Sequence, residues 1–415
     1  MINNIKSNKI LSIIFNNVHN KIKLNLVKHN KKLLSKINKE INDLKIYKEL
    51  KEFNKKYNLN IKDIDIKELD INNKNIKNEG LKYLNKIGFT YLKKLHLNNN
   101  QIADIKILEN AKFKNLESLD LSFNSISDIK ALTFKNLQIL NLERNQISDI
   151  QILTKFENLI ILNLGNNCIS NIEILENENF RNLKELCLFA NKITDIKVLK
   201  NAIFVKLEKL NLSNNQISDI ENVKFENLIK LNLSNNQISD IKVLEKVNFN
   251  ELKELHLNSN KIKDIKLLEK VNFKGLIELY LNSNDIVDIE VLKNFKKLKI
   301  LNLSWNKISD MNTLKNLECE NLEILNLSNN QISDIKVFEG IKLENLKELN
   351  LSYNKINDIT ILENMKLEKL EILNLVRNEI SKLPSLEKVN FNELKELHLN
   401  SNEIKDIKLL EKVNF

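Results

Sequence analysis

The stretch Leu228 to Ile241, L-I-K-L-N-L-S-N-N-Q-I-S-D-I, returns in varied form along most of the chain and restricts what that chain can become. Aligned on one asparagine, the pattern L-x-x-L-x-L-x-x-N-x-I-x-x-[I/L/M] places that residue at Asn100, Asn124, Asn145, Asn167, Asn191, Asn215, Asn236, Asn260, Asn284, Asn306, Asn330, Asn354, Asn378 and Asn402. The fourteen units are spaced by 21, 22 or 24 residues. A unit this short cannot bury its own apolar face, so it must stack on its neighbours, and self-similarity at this period predicts a solenoid.

Within a unit, the alternation L-x-L turns Leu231 and Leu233 inward and Asn232 and Ser234 outward, which predicts one short strand per coil of a parallel sheet. The asparagine that follows carries both donors and acceptors, and stacked copies are expected to form a ladder that satisfies backbone groups of adjacent coils. Asp240 stands where a carboxylate caps a short helix such as Lys242 to Lys246. Eleven residues before each ladder position stands Phe89, Phe113, Phe134, Phe156, Phe180, Phe204, Phe225, Phe249, Phe273, Phe295 or Phe391, with Cys319, Leu343 and Leu367 in the three gaps. A ring at a fixed place in every coil predicts a buried spine.

Over residues 64–415 the repeats resemble those of leucine-rich-repeat proteins, and the N-x-I-x-D-I ending resembles the short-repeat class that includes internalins and the phosphatase regulatory-subunit type. The resemblance implies an α/β fold, a right-handed solenoid with parallel strands on the concave face and short helices or turns on the convex face. It also implies a scaffold that binds protein without catalysis.

Charge divides the chain. Residues 1–58 hold fourteen Lys and four acidic residues, a net of +10, which leaves 51 basic and 51 acidic residues of the totals of 65 and 55 for the rest. Three amphipathic helical stretches are expected there, marked by Ile10, Leu11, Ile14, Phe15 and Val18; by Ile22, Leu26, Leu33, Leu34 and Ile37; and by Ile41, Leu44, Tyr47, Leu50 and Phe53. We read 1–58 as a basic helical cap or adaptor segment, 59–89 as a degenerate first repeat with Lys74 at the ladder position, and 90–415 as the repeat array. The run I-L-S-I-I-F-x-x-V followed by K-L-x-L-V-K-H-N-K-K-L resembles an F-box, the adaptor module of ubiquitin ligases, although the Leu-Pro opening and the terminal Trp of that module are missing. Without arginine-rich or aromatic-interleaved character, the basic segment does not point to nucleic acid.

Residue chemistry argues against catalysis. No phosphate loop, nucleophile elbow or paired-histidine metal motif occurs. His96, His256 and His398 share one strand position, but six coils separate the last two, about 29 Å at about 4.8 Å per strand. That is too far to share an ion, so no catalytic, metal or cofactor residues are assigned. Three scattered Cys favour a reducing, cytoplasmic setting over a disulfide framework, and no apolar run is long enough to span a membrane. A surface adhesin of the internalin kind would need an export signal and an anchor.

Positions six, four and two residues before each ladder asparagine are expected to face out, with a rim position one before it. Aromatic, aliphatic and Arg side chains there are the expected protein-binding residues, because such groups supply most interface energy. One group joins Phe123, Ile139, Arg144, Ile161, Cys187 and Phe189. The other joins Tyr280, Ile300, Trp305, Ile324, Tyr353, Ile372, Val376 and Arg377. The chain ends on a spine position, Phe415, with no strand after it, which predicts either further chain or an edge contact with another molecule.

Overall fold

A computed structural model describes residues 31–220, 227–242, 244, 249–271, 273–312, 314, 320–384, 389 and 391–405. Residues 10–30 of the F-box-like run, the first amphipathic stretch, Ile22 and Leu26 of the second, Phe225, Cys319 and the chain end at Phe415 lie outside the described residues. The chain divides between Leu137 and Gln138 into two compact units.

In the first unit, α1 (Lys31–Tyr57), β1 (Glu68–Asp70), α2 (Lys77–Ile87), β2 (Lys94–His96) and β3 (Ser118–Asp120) follow in chain order, with β1, β2 and β3 paired in parallel. One continuous helix, α1, runs through positions expected to fall in two. It meets α2 through its last turns: Leu50 and Phe53 are buried, and the Phe53 ring stacks on Tyr83 at 5.6 Å. Leu44 and Tyr47, expected on a buried face, are exposed. The physical reason is length, since 11-residue α2 spans about 16 Å at 1.5 Å per residue and covers only one end of 27-residue α1. Asn54 closes the turn after α1 by donating to the Ile61 carbonyl and accepting the Ile61 N–H. Gly88, at φ 72°, ends α2 in the left-handed conformation and donates to the Leu84 carbonyl.

Among its described residues the second unit holds twelve strands: β4 (Ile139–Asn141), β5 (Ile161–Asn163), β6 (Glu185–Cys187), β7 (Lys209–Asn211), β8 (Lys230–Asn232), β9 (Glu254–His256), β10 (Glu278–Tyr280), β11 (Ile300–Asn302), β12 (Ile324–Asn326), β13 (Glu348–Asn350), β14 (Ile372–Asn374) and β15 (Glu396–His398). Each pairs in parallel with the next, leucine opposite leucine, as Leu301↔Leu325 and Leu325↔Leu349. The central leucine of each strand from β4 to β14 is buried while its flanking residues stay at least partly open, the two-residue alternation of a half-buried strand, and in β15 Leu397 is half-buried.

Away from the strands, the helices described in the connecting segments of the second unit are short 3-10 helices, such as Lys266–Lys270 and Lys336–Gly340, instead of α-helical turns. Three or four residues close a hydrogen-bonded 3-10 turn where an α-turn needs more, so the tighter helix fits the short coil. The repeat Asp starts most of them, as where Asp264 Oδ1 accepts the Lys266 N–H and Asp334 Oδ1 the Lys336 N–H, both at 2.8 Å, and Asn171 does the same for Glu173. Phe156, Phe180, Phe249, Phe273 and Phe295 are buried along this side, with Leu343 and Leu367 continuing the column and Phe204 and Phe391 only half-buried.

The asparagine column joins coil to coil. Asn236 Nδ2 donates to the Leu233 carbonyl of its own coil and to the Leu212 carbonyl of the coil before, both at 3.0 Å, while its Oδ1 accepts the Ile217 N–H at 3.0 Å. The same three bonds recur at Asn167, Asn191, Asn215, Asn260, Asn284, Asn306, Asn330, Asn354, Asn378 and Asn402. In the first unit, Asn124 repeats the pattern toward Leu97, Leu121 and Ile102, and Asn100 accepts both the Lys74 and Ile76 N–H groups of the aberrant coil before it.

Candidate protein-binding face

The strand face of the second unit consists of columns of equivalent residues, and the column two before each ladder asparagine is closed where it holds serine. Ser213, Ser234, Ser304, Ser328 and Ser352 were expected to face out but are buried. The cause is an internal bond. Ser213 donates its hydroxyl to Asn211 Oδ1 at 2.7 Å and its N–H to the same oxygen at 3.0 Å, and Ser234, Ser304 and Ser352 repeat both bonds toward Asn232, Asn302 and Asn350. Much of the polar floor is thereby engaged within the chain.

On one edge, seven residues before the ladder, charges alternate from coil to coil. Lys299 and Lys347 each reach Glu323 at 2.7 Å, and Lys395 reaches Glu371 at 2.5 Å. The hydrogen bond from Lys299, then that from Lys347, pulls the Glu323 carboxyl down to about 2. These pairs are solvent-exposed, so they organise the edge more than they stabilise it. One position further in, Ile300 faces Ile324 across β11 and β12, and Ile372 follows after an intervening Glu348.

On the opposite rim, every residue one before a ladder asparagine is left-handed: Asn166, Asn214, Asn235, Ser259, Ser283, Asn329 and Ser401, but also Ala190, Arg144, Trp305, Tyr353 and Arg377, all with φ between 51° and 58°. Asparagine tolerates that conformation, whereas a bulky residue there costs about 1–2 kcal/mol. Trp305 is 63% exposed and Tyr353 45%. The Arg377 guanidinium lies 5.0 Å from the Tyr353 ring centre, and Tyr353 donates its N–H to the Val376 carbonyl.

The late group of candidates therefore separates into parts. Trp305, Tyr353 and Arg377 share the rim and Val376 stands one position inside it, while Ile300, Ile324 and Ile372 lie toward the other edge, five residues or up to about 16 Å from the rim along the chain. Tyr280 sits between them, stacked on His256 with ring centres 4.4 Å apart and donating its hydroxyl to Glu278. Burial, then that bond, pushes the Tyr280 hydroxyl up to about 12.

Of the early group, Phe123 belongs to the first unit and is described there: exposed, on a left-handed backbone. In the second unit Ile139 faces Ile161, and Arg144 lies 3.9 Å from Glu143. The Phe189 ring rests on Gly165, where a Cβ would come within 2.2 Å of a ring carbon. Burial raises the half-buried Cys187 thiol to about 11, which keeps it protonated at neutral pH. Sequence reasoning missed the roles of Gly165 and Glu348, although writing the columns side by side would have set each against its neighbours.

Among the described residues no three metal-ligating side chains converge, and no helix is long and apolar enough to cross a membrane. The arrangement offers an extended surface for docking.

Comparison with known proteins agrees with this geometry. The family described as "Leucine Rich repeats (2 copies)" matches residues 90–134, 114–155, 135–177, 181–225, 205–246, 226–270 and 320–364, and "Leucine Rich repeat" matches 296–310. The chain belongs to the leucine-rich-repeat family. An internalin of Listeria monocytogenes is similar at 32% identity, over 79% of this chain and 93% of its own, with a TM-score of 0.66. A leucine-rich-repeat protein of Leptospira interrogans is 27% identical over 89% of this chain and 97% of its own, with a TM-score of 0.65. A plant peptide hormone receptor, solved in complex with its peptide, shares the fold at 20% identity over 80% of this chain and 67% of its own, with a TM-score of 0.55. No curated protein matches the sequence.

Proposed function

We propose that this protein is a non-catalytic scaffold of the cytoplasm that captures a protein partner on the strand face of its repeats, with Trp305, Tyr353 and Arg377 as anchors. The observation that carries the reading is the placing of exposed aromatic and Arg side chains on a left-handed backbone where other coils use Asn or Ser. Local strain held at exposed positions is a mark of functional demand, and aromatic and Arg residues are the side chains that dominate interface energetics.

The test uses the triple variant Trp305→Asn, Tyr353→Asn, Arg377→Asn. Asparagine suits the backbone, so thermal stability is expected to hold or rise, while affinity capture of the native partner falls at least about tenfold. Capture equal to that of the unaltered chain defeats the proposal.

A second reading, an internalin-like surface adhesin, is favoured by the 32% identity to an internalin. It predicts that protease added to intact cells of the native organism degrades the protein. Full protection there, with digestion after lysis, rejects it and supports the cytoplasmic reading.

A further inference from the structure

We infer that the slot formed by Ile324, Glu348 and Ile372 receives a lysine or arginine side chain of the docked protein. This inference rests on the reading that a protein docks on the strand face. The three residues lie directly opposite one another on adjacent strands β12, β13 and β14. Every other charged residue in this column of the second unit has a side-chain partner: Glu185 holds Lys209 at 2.7 Å, Lys230 pairs with Glu254, Glu278 accepts the Tyr280 hydroxyl, and Glu396 meets His398 at 3.0 Å. Glu348 has no side-chain partner among the described residues.

The reason lies in its neighbours. Pairs such as Glu185 with Lys209 form between adjacent coils, and isoleucine on both sides of Glu348 removes the two internal cations its position could have had. Nor do the nearby lysines of the outer edge supply one, because Lys347 is held by Glu323 at 2.7 Å and Lys395 by Glu371 at 2.5 Å. What remains is a half-buried carboxylate between two aliphatic walls. That combination matches a long cationic side chain, whose methylene stem lies along apolar surface while its head meets the charge. A carboxylate from the partner would be repelled at Glu348 and is better received by Arg377 on the far rim.

The experiment selects phage-displayed random 12-residue peptides on the full chain and measures the binding of recovered peptides by fluorescence polarisation. Selected peptides are expected to share one Lys or Arg. Glu348→Gln weakens their binding roughly tenfold or more, and replacing the shared cation by Glu abolishes binding that Glu348→Lys then restores. If peptides bind through the rim, losing affinity on Trp305→Asn yet showing neither the shared cation nor dependence on Glu348, this inference fails while the docking reading stands. If the recovered peptides depend on neither the rim nor the slot, both fail.

Discussion

Residues 244–273 and 386–415 carry the same thirty-residue sequence with one exchange, Lys261 against Glu403, yet the two copies sit in different surroundings. In the first copy Phe249, Leu255, Leu257 and Ile262 are fully buried. Their counterparts Phe391, Leu397, Leu399 and Ile404 are half-buried. The histidines differ as well. The His256 side chain is 19% exposed, stacked on Tyr280 of the following coil, and its Nε2 is 3.7 Å from a Glu254 carboxylate that Lys230 of the preceding coil already engages. His398 is 43% exposed, and since the preceding coil offers Ile372 in place of a lysine, Glu396 turns to its own histidine at 3.0 Å. A coil's sequence sets its own path; the coils on either side decide how deeply it is buried and what its charges do.

The largest expected effect lies in the leucines. Leu255→Ala should cost about 2–5 kcal/mol, the usual range for a buried leucine, and Leu397→Ala distinctly less, as read from the midpoint of urea unfolding followed by circular dichroism. Equal losses would break the comparison.

The asparagines sharpen it. Asn260 bonds backward to Leu233 and Ile238, and Asn402 bonds backward to Leu375 and Ile380 in the same way. Replacing either with Ala should therefore cost a similar amount, about 1–3 kcal/mol for each buried group left unpaired. A loss confined to Asn260 would show that the forward neighbour matters here too.

The smallest effect concerns protonation. Burial first, then the Lys230 charge, lowers the His256 pKa below its ordinary 6.5, against the pull of Glu254. The unfolded chain then binds the proton more readily than the folded one, so this contribution is intact above about pH 6.5 and is lost as the pH falls below it. His256→Asn, the commonest residue of its column, should flatten the acid limb of a stability–pH curve. An unchanged limb would show that the ring is as well solvated as in the unfolded chain.

The fold was legible because its instructions repeat. Leucine alternation, the Phe column and the Asp before each turn act within a coil, and copies of one local pattern leave little ambiguity of register. The face was legible only in part. Trp305, Tyr353 and Arg377 stand out in a row of Asn and Ser, but nothing in their own coils reveals that Ile300, Ile324 and Ile372 lie on the other edge. Tyr47 shows the same limit in α1, where periodicity marks a face and the length of α2 decides how much of it is covered.

From sequence alone came the coil, its strand, its turn and its stacking, all consequences of side chains a few residues apart. Tertiary structure decided which serines close the floor, which lysines and glutamates neutralise one another, and which carboxylate, Glu348, is left over. Those outcomes depend on contacts between residues one coil apart, and a charge or hydroxyl is spent or spared only by what the adjacent coil brings to its side.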